Sequence, residues 1–115
     1  MAAIAPPLTA VVAEVNRRLQ RIRPEALQRP ATFHFWLTGE GGGDFYCVLG
    51  NGLAAVGLGA PLAPASCTVT LQATDAVALV TGNLEPISAY FRGRIKVQGN
   101  FAEASRLGTM LRAAG

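Results

Sequence analysis

Residues 89–111 read AYFRGRIKVQGNFAEASRLGTML. This stretch joins a helix end, a strand and a capped helix, and its order decides how the rest of the chain is read. Pro86, just upstream, has the fixed φ that suits a first helical turn, and Gly93 supplies a stop beyond Phe91. Arg94, Lys96 and Gln98 then alternate with Ile95 and Val97, as in a strand with one wet and one buried face. Gly99 turns the chain. Asn100 and Glu103 have the spacing of an N-cap and its reciprocal acceptor, which starts the last helix near Phe101. Ala104, Leu107, Gly108 and Leu111 make one stripe of that helix, flanked by Phe101 and Met110. No group in the stretch is obviously catalytic.

Upstream, CTVTLQ alternates cleanly, with Cys67, Val69 and Leu71 on the inner side, and predicts a fourth strand. Thr74 is placed to cap a short helix through Val80, which Gly82 stops. Before that, TFHFWLT puts Phe33, Phe35 and Leu37 on one face and Thr32, His34, Trp36 and Thr38 on the other. The glycine-rich GEGGGD leads to FYCVL, and Asn51-Gly52, a tight-turn pair, leads to LAAVGL. These three strands form a meander. At the start of the chain, Leu8, Val12, Val15, Leu19 and Ile22 recur at helical spacing, and Pro24 opens a further short turn that Pro30 ends.

The composition narrows the function. The 115 residues suit one domain; 50% are hydrophobic and 15% charged, too apolar for a disordered chain and lean in charge for an ordinary surface. No formal charge occurs between Asp44 and Asp75, yet Gly50, Gly52, Gly57, Gly59, Pro61 and Pro64 interrupt that segment too often for a spanning helix. The first residues lack a secretory signal, so a cytoplasmic location is expected. Cys47 and Cys67 read as buried free thiols, and two cysteines with one histidine do not make a zinc set. The net charge of +3 is carried without nucleic-acid recognition signatures, which excludes a nucleic-acid partner. Arg17, Arg18 and Arg21 form a basic group that reads as a solvated face or as a contact for anionic head groups or a partner protein.

Catalysis finds no support. GNGLAA at 50–55 imitates a dinucleotide signature, but glycines and a proline follow it where a helix is required. His34 has no nucleophile placed beside it, and Asp44, Asp75, Glu85 and Glu103 each have a local turn or capping role. Neither a cofactor nor a metal is expected. Periodicity alone would read the apolar residues of the last helices as core.

The order FHFWLTGEGGGDFYCVLGNGLAAVGLG, then CTVTLQATDAVALVTGNLEPISAYFRGRIKVQGNFAEASRLGTML, resembles the sterol carrier protein type 2 family across nearly all of residues 31–111. The most specific part is the tail, where Gly82, Pro86, Phe91, Gly93, Ile95, Val97, Gly99, Asn100 and Leu107 stand in the family's order. The resemblance implies an α+β fold, a five-stranded and mainly antiparallel sheet covered on one face by helices. Residues 1–115 are then one lipid-binding domain, with 1–30 an N-terminal helical segment and 31–111 the family-like core. The resemblance further implies an apolar tunnel for sterols, fatty acyl chains or prenyl-quinone-type lipids, and it implies no enzyme. Chosen for apolar character on the inner strand face and the covering helices, Phe33, Phe35, Leu79, Ile87, Phe91, Leu107, Met110 and Leu111 are the expected pocket walls. The ending AAG is not a Ser-Lys-Leu peroxisomal address, and a bacterial cytoplasm is expected. The alternative is an accessory module of a lipid or quinone pathway, with its interior filled by side chains and Trp36, His34 and the N-terminal arginines facing a partner enzyme or a second copy.

Overall fold

A computed structural model describes residues 7–114. The N-terminal stretch on which the absence of a signal was read falls partly outside the described residues, as does the terminal Gly115. The elements are α1 (Pro7–Leu19), a 3-10 turn (Pro24–Leu27), β1 (Ala31–Thr38), β2 (Gly43–Gly50), β3 (Leu53–Leu58), β4 (Cys67–Gln72), α2 (Ala73–Val80), α3 (Pro86–Phe91), β5 (Ile95–Gly99) and α4 (Phe101–Ala114).

Hydrophobic period sets most of these boundaries. α1 buries Val11, Val15 and Leu19, one residue per turn, and each such side chain contributes about 1.5–3 kcal/mol. Ile22, expected on the same helix, lies beyond its end. The β2–β3 turn needs two residues at positive φ, and Asn51 (φ 55°) with Gly52 (φ 79°) supplies them. Helix α2 begins two residues earlier than expected. Gln72 occupies its N-cap position without a side-chain bond, so Thr74 lies inside the first turn and does not cap it. In α3 the Glu85 carboxylate does the capping, accepting from the Ile87 and Ser88 amides at 3.2 and 2.7 Å.

The five strands form one sheet in the order β3-β2-β1-β4-β5. Every neighbouring pair is antiparallel except β1 with β4, which run parallel. The register aligns the inner side chains in rows across the sheet. Val56, Cys47, Phe33 and Cys67 make one row, and Leu58, Phe45, Phe35, Val69 and Val97 the next. Leu37, Leu71 and Ile95 make a third. The helices lie over this face, α1 against β2, β3, α2 and α4, and α4 also against β4 and β5.

Candidate functional site

The inner face is solid at one end and hollow at the other. Phe33 and Cys47 have no exposed surface, and Leu19, Leu27, Ala31, Leu49 and Cys67 are buried with them. From the next row on, the packing opens into a cavity of about 390 Å³. Its floor is Phe35, Leu37, Phe45, Val69 and Val97, with Phe35 and Phe45 stacked at 4.7 Å between centroids. Its sides come from Val11 and Val15 of α1, Leu79 and Val80 of α2, and Tyr90 of α3. Leu107, Gly108 and Leu111 of α4 complete it, and Ile87, Phe91 and Phe101 stand at its rim.

Six of the expected wall residues, Phe35, Leu79, Ile87, Phe91, Leu107 and Leu111, line this space. Phe33 lies in the solid end, and Met110 packs against the core without lining the cavity. The sequence reading did not place Val11, Val15, Tyr90 or Val97 there. Val97 was legible, since it shares the inner parity of β5 with Ile95. Val11 was hidden by the choice of Val12 as the stripe residue, and the structure buries Val11 more deeply.

Few polar groups reach the cavity, and Arg18 is the one most firmly held. Its guanidinium donates to the Glu14 carboxylate at 2.6 Å, to the Val80 carbonyl at 2.6 Å and to the Leu111 carbonyl at 3.4 Å. It therefore ties α1 to the last turns of α2 and α4. Hydrogen bonds from Arg17 and Arg18 hold the Glu14 carboxyl down at about 2. Of the basic group Arg17, Arg18 and Arg21, Arg18 is turned into the body of the protein, while Arg17 and Arg21 stay exposed. Arg112, at the far wall, stands 3.7 Å from Glu85.

Two buried carboxylates fix the surrounding elements. Asp75 at the start of α2 accepts from Arg94 of the β5 approach at 3.3 and 2.5 Å, and this pairing raises the Arg94 pKa. Asn100 caps α4 as expected, its Oδ1 accepting from the Glu103 amide at 3.1 Å. The reciprocal half of the capping box is not formed. The Asn100 amide donates to the Ser66 carbonyl at 3.0 Å, and the Glu103 carboxylate turns to Arg106 at 3.0 Å and Arg29 at 3.3 Å. Two guanidinium groups outcompete one backbone amide for a buried carboxylate.

Burial pushes the Cys47 thiol up to about 12, and burial, then Glu103, raises Cys67. Both thiols are free. His34 pairs with Asp44 at 3.0 Å on the opposite face of the sheet, beside the exposed Trp36. Among the described residues, no cluster of His, Cys, Asp or Glu has the make-up of a metal site, and no helix is long and apolar enough to cross a membrane.

The profile of the SCP-2 sterol transfer family matches residues 13–112. By sequence the chain is similar to Hydroxysteroid dehydrogenase-like protein 2 of Xenopus tropicalis, 30% identical over 69% of this chain. It spans only 19% of that relative's length. By structure it is similar to Sterol Carrier Protein 2 from Yarrowia lipolytica, with a TM-score of 0.69, 21% identity and coverage of 98% of this chain and 95% of that one. It is also similar to palmitated SCP2L2 from Aedes aegypti, with a TM-score of 0.67, 18% identity and coverage of 96% and 95%. Likeness at this level of identity establishes a shared α+β fold.

Proposed function

The chain belongs to the SCP-2 sterol transfer family, and on that premise we propose that it is a non-enzymatic carrier that holds a hydrophobic lipid between its sheet and its helices. The observation that carries the reading is the cavity. Its volume of 390 Å³ falls within the roughly 300–1,000 Å³ typical of small-molecule sites. An apolar chain laid against this lining leaves water, and each buried CH₂ contributes about 0.8 kcal/mol.

The walls assigned to the ligand are Phe35, Leu79, Ile87, Phe91, Leu107 and Leu111, with Tyr90 and Val97 added. Fatty acyl, sterol-like and prenyl-quinone-type lipids all suit an apolar lining with few polar contacts. The whole chain acts as one domain, and its two free, buried thiols support a reducing cytoplasm. A second reading, an accessory module that meets a partner through the bare face of the sheet, rests on the exposure of Trp36.

Native mass spectrometry of protein purified without detergent, followed by extraction, tests the choice. A stoichiometric lipid supports the carrier and names its class. A clean apo mass that persists after incubation with mixed acyl, sterol and prenyl lipids overturns it in favour of the accessory module.

A further inference from the structure

The two edges of the sheet are not alike. β5 carries the exposed Lys96, follows Arg94 and is backed by α3 and α4, the charge and cover that keep an edge strand from meeting another chain. β3, at the other edge, reads LAAVGL and holds neither a charge nor a proline. Its two ends, Leu53 and Leu58, are 73% and 67% exposed.

The turn decides which backbone groups of β3 face outward. A two-residue loop at Asn51-Gly52 makes Gly50 and Leu53 a hydrogen-bonded pair, so Leu53, Ala55 and Gly57 bond to β2. The Gly59 amide continues that series, donating to the Asp44 carbonyl at 2.9 Å. The N–H and C=O groups of Ala54, Val56 and Leu58 therefore point to the open side. Among the described residues one hydrogen bond is made there, from the Gln20 side chain to the Ala54 carbonyl at 3.1 Å.

Helix α1 stands beside this edge. Thr9, Ala13 and Asn16 recur at helical spacing along the flank that leads to Gln20, and all four are exposed and uncharged. Arg18 lies on the other flank, toward α2 and α4. Antiparallel pairing of two β3 strands about Val56 exchanges the open groups of Ala54 and Leu58 between copies. With strands about 4.8 Å apart, it also brings two α1 helices lying over β2 and β3 to on the order of 10 Å, close to the spacing of packed helices. The strands set no charge against its like. An extended peptide would use the strand and leave the α1 flank bare, whereas a second copy uses both.

We propose that two copies of this chain join edge to edge through β3 into one continuous sheet, with their α1 helices side by side across the two-fold axis. The cavity mouth, framed by α3 and α4 toward β5, stays outside the contact. Pairing and lipid carriage are therefore separable.

Sedimentation equilibrium tests it. The mass of the wild-type chain is expected to rise with concentration from that of one copy to that of two. Leu58→Lys and Ala13→Glu change exposed side chains, and each should weaken pairing roughly tenfold, because every substitution enters a two-fold interface twice. Ala54→Pro removes an outward N–H, leaves the bonds to β2 intact and should weaken pairing likewise. Leu62→Lys alters a fully exposed side chain off the strand and should leave pairing unchanged. The proposal is overturned if the wild-type chain stays monomeric even at about 1 mM, which leaves the edge to an extended segment of another protein. It also falls if dimers survive Leu58→Lys and Ala54→Pro, if Ala13→Glu has no effect, or if assemblies grow past two copies. Lipid extraction from the same preparations reads out carriage independently.

Discussion

Phe33 and Phe35 stand two residues apart on the same strand, share one face of the sheet and point under the same layer of helices, yet they meet different surroundings. Around Phe33 the row is closed by Cys47 and Cys67, and no surface is left to solvent. Around Phe35 the row is equally apolar, with Phe45 and Val69 as neighbours, but the helices above it do not descend to fill the space. The difference lies in the roof. α1 gives the closed end its fully buried Leu19, while its Val11 and Val15 line the cavity beside α3, which has six residues and buries only Ala89. Hydrophobic pattern makes an inner face, and the length and reach of the covering helices decide whether that face becomes core or cavity.

The contrast can be attacked by substitution. Phe33→Ala should cost about 3–5 kcal/mol in urea unfolding, as expected for a fully packed aromatic. Leu79→Ala, on a wall that already lacks neighbours on one side, should lose less than about 2 kcal/mol while lowering lipid uptake. Equal losses at the two sites would mean that the hollow end is as tightly packed as the solid one. Asn100→Ala removes the cap of the roof helix and should cost about 1 kcal/mol in the same assay.

A smaller change with the opposite sign is expected at Gly108. An added Cβ there meets no atom within 4 Å, and the residue lies within α4 and lines the cavity. Gly108→Ala should therefore raise stability by about 0.5–1 kcal/mol through helix propensity. Gly108→Phe should fill the space and abolish uptake of a fluorescent fatty acid; uptake at the wild-type level would break the assignment of this cavity.

The smallest effect should come from acid. The folded-state pKa of Glu14 lies below its ordinary value, so its contribution is present above about 4.5 and is lost as pH falls toward about 2. A slight fall in the thermal midpoint across that window, absent in Glu14→Gln, is the expected signature.

The elements were legible because each carries its own local signal. Asn51-Gly52 specifies its turn, Pro86 and Gly93 bracket α3, and the alternation of residues 67–72 permits only one inner face. The strand order was not readable from period, because the parallel contact of β1 with β4 depends on where a long connection returns. The cavity was harder still. Phe33 and Phe35 have the same residue type, parity and strand, and nothing local distinguishes a filled row from an empty one. Glu103 illustrates the same limit. Its spacing from Asn100 predicted a reciprocal cap, but the arginine that claims its carboxylate from afar, Arg29, comes from the opposite end of the chain.

The parallel pairing of β1 with β4 also imposes an order of events on folding. β1, β2 and β3 are linked by short hairpins and find one another through local contacts, whereas β4 has to travel back past two strands to reach β1. Long-range closure of that kind loses chain entropy before any contact repays it, so it comes late. Every element that roofs the hollow end from the C-terminal side, α2, α3 and α4, follows β4 in the chain. During synthesis the first hairpins thus precede β4 and β5, which carry Val69 and Val97, so the cavity floor is completed only when the later strands join the sheet.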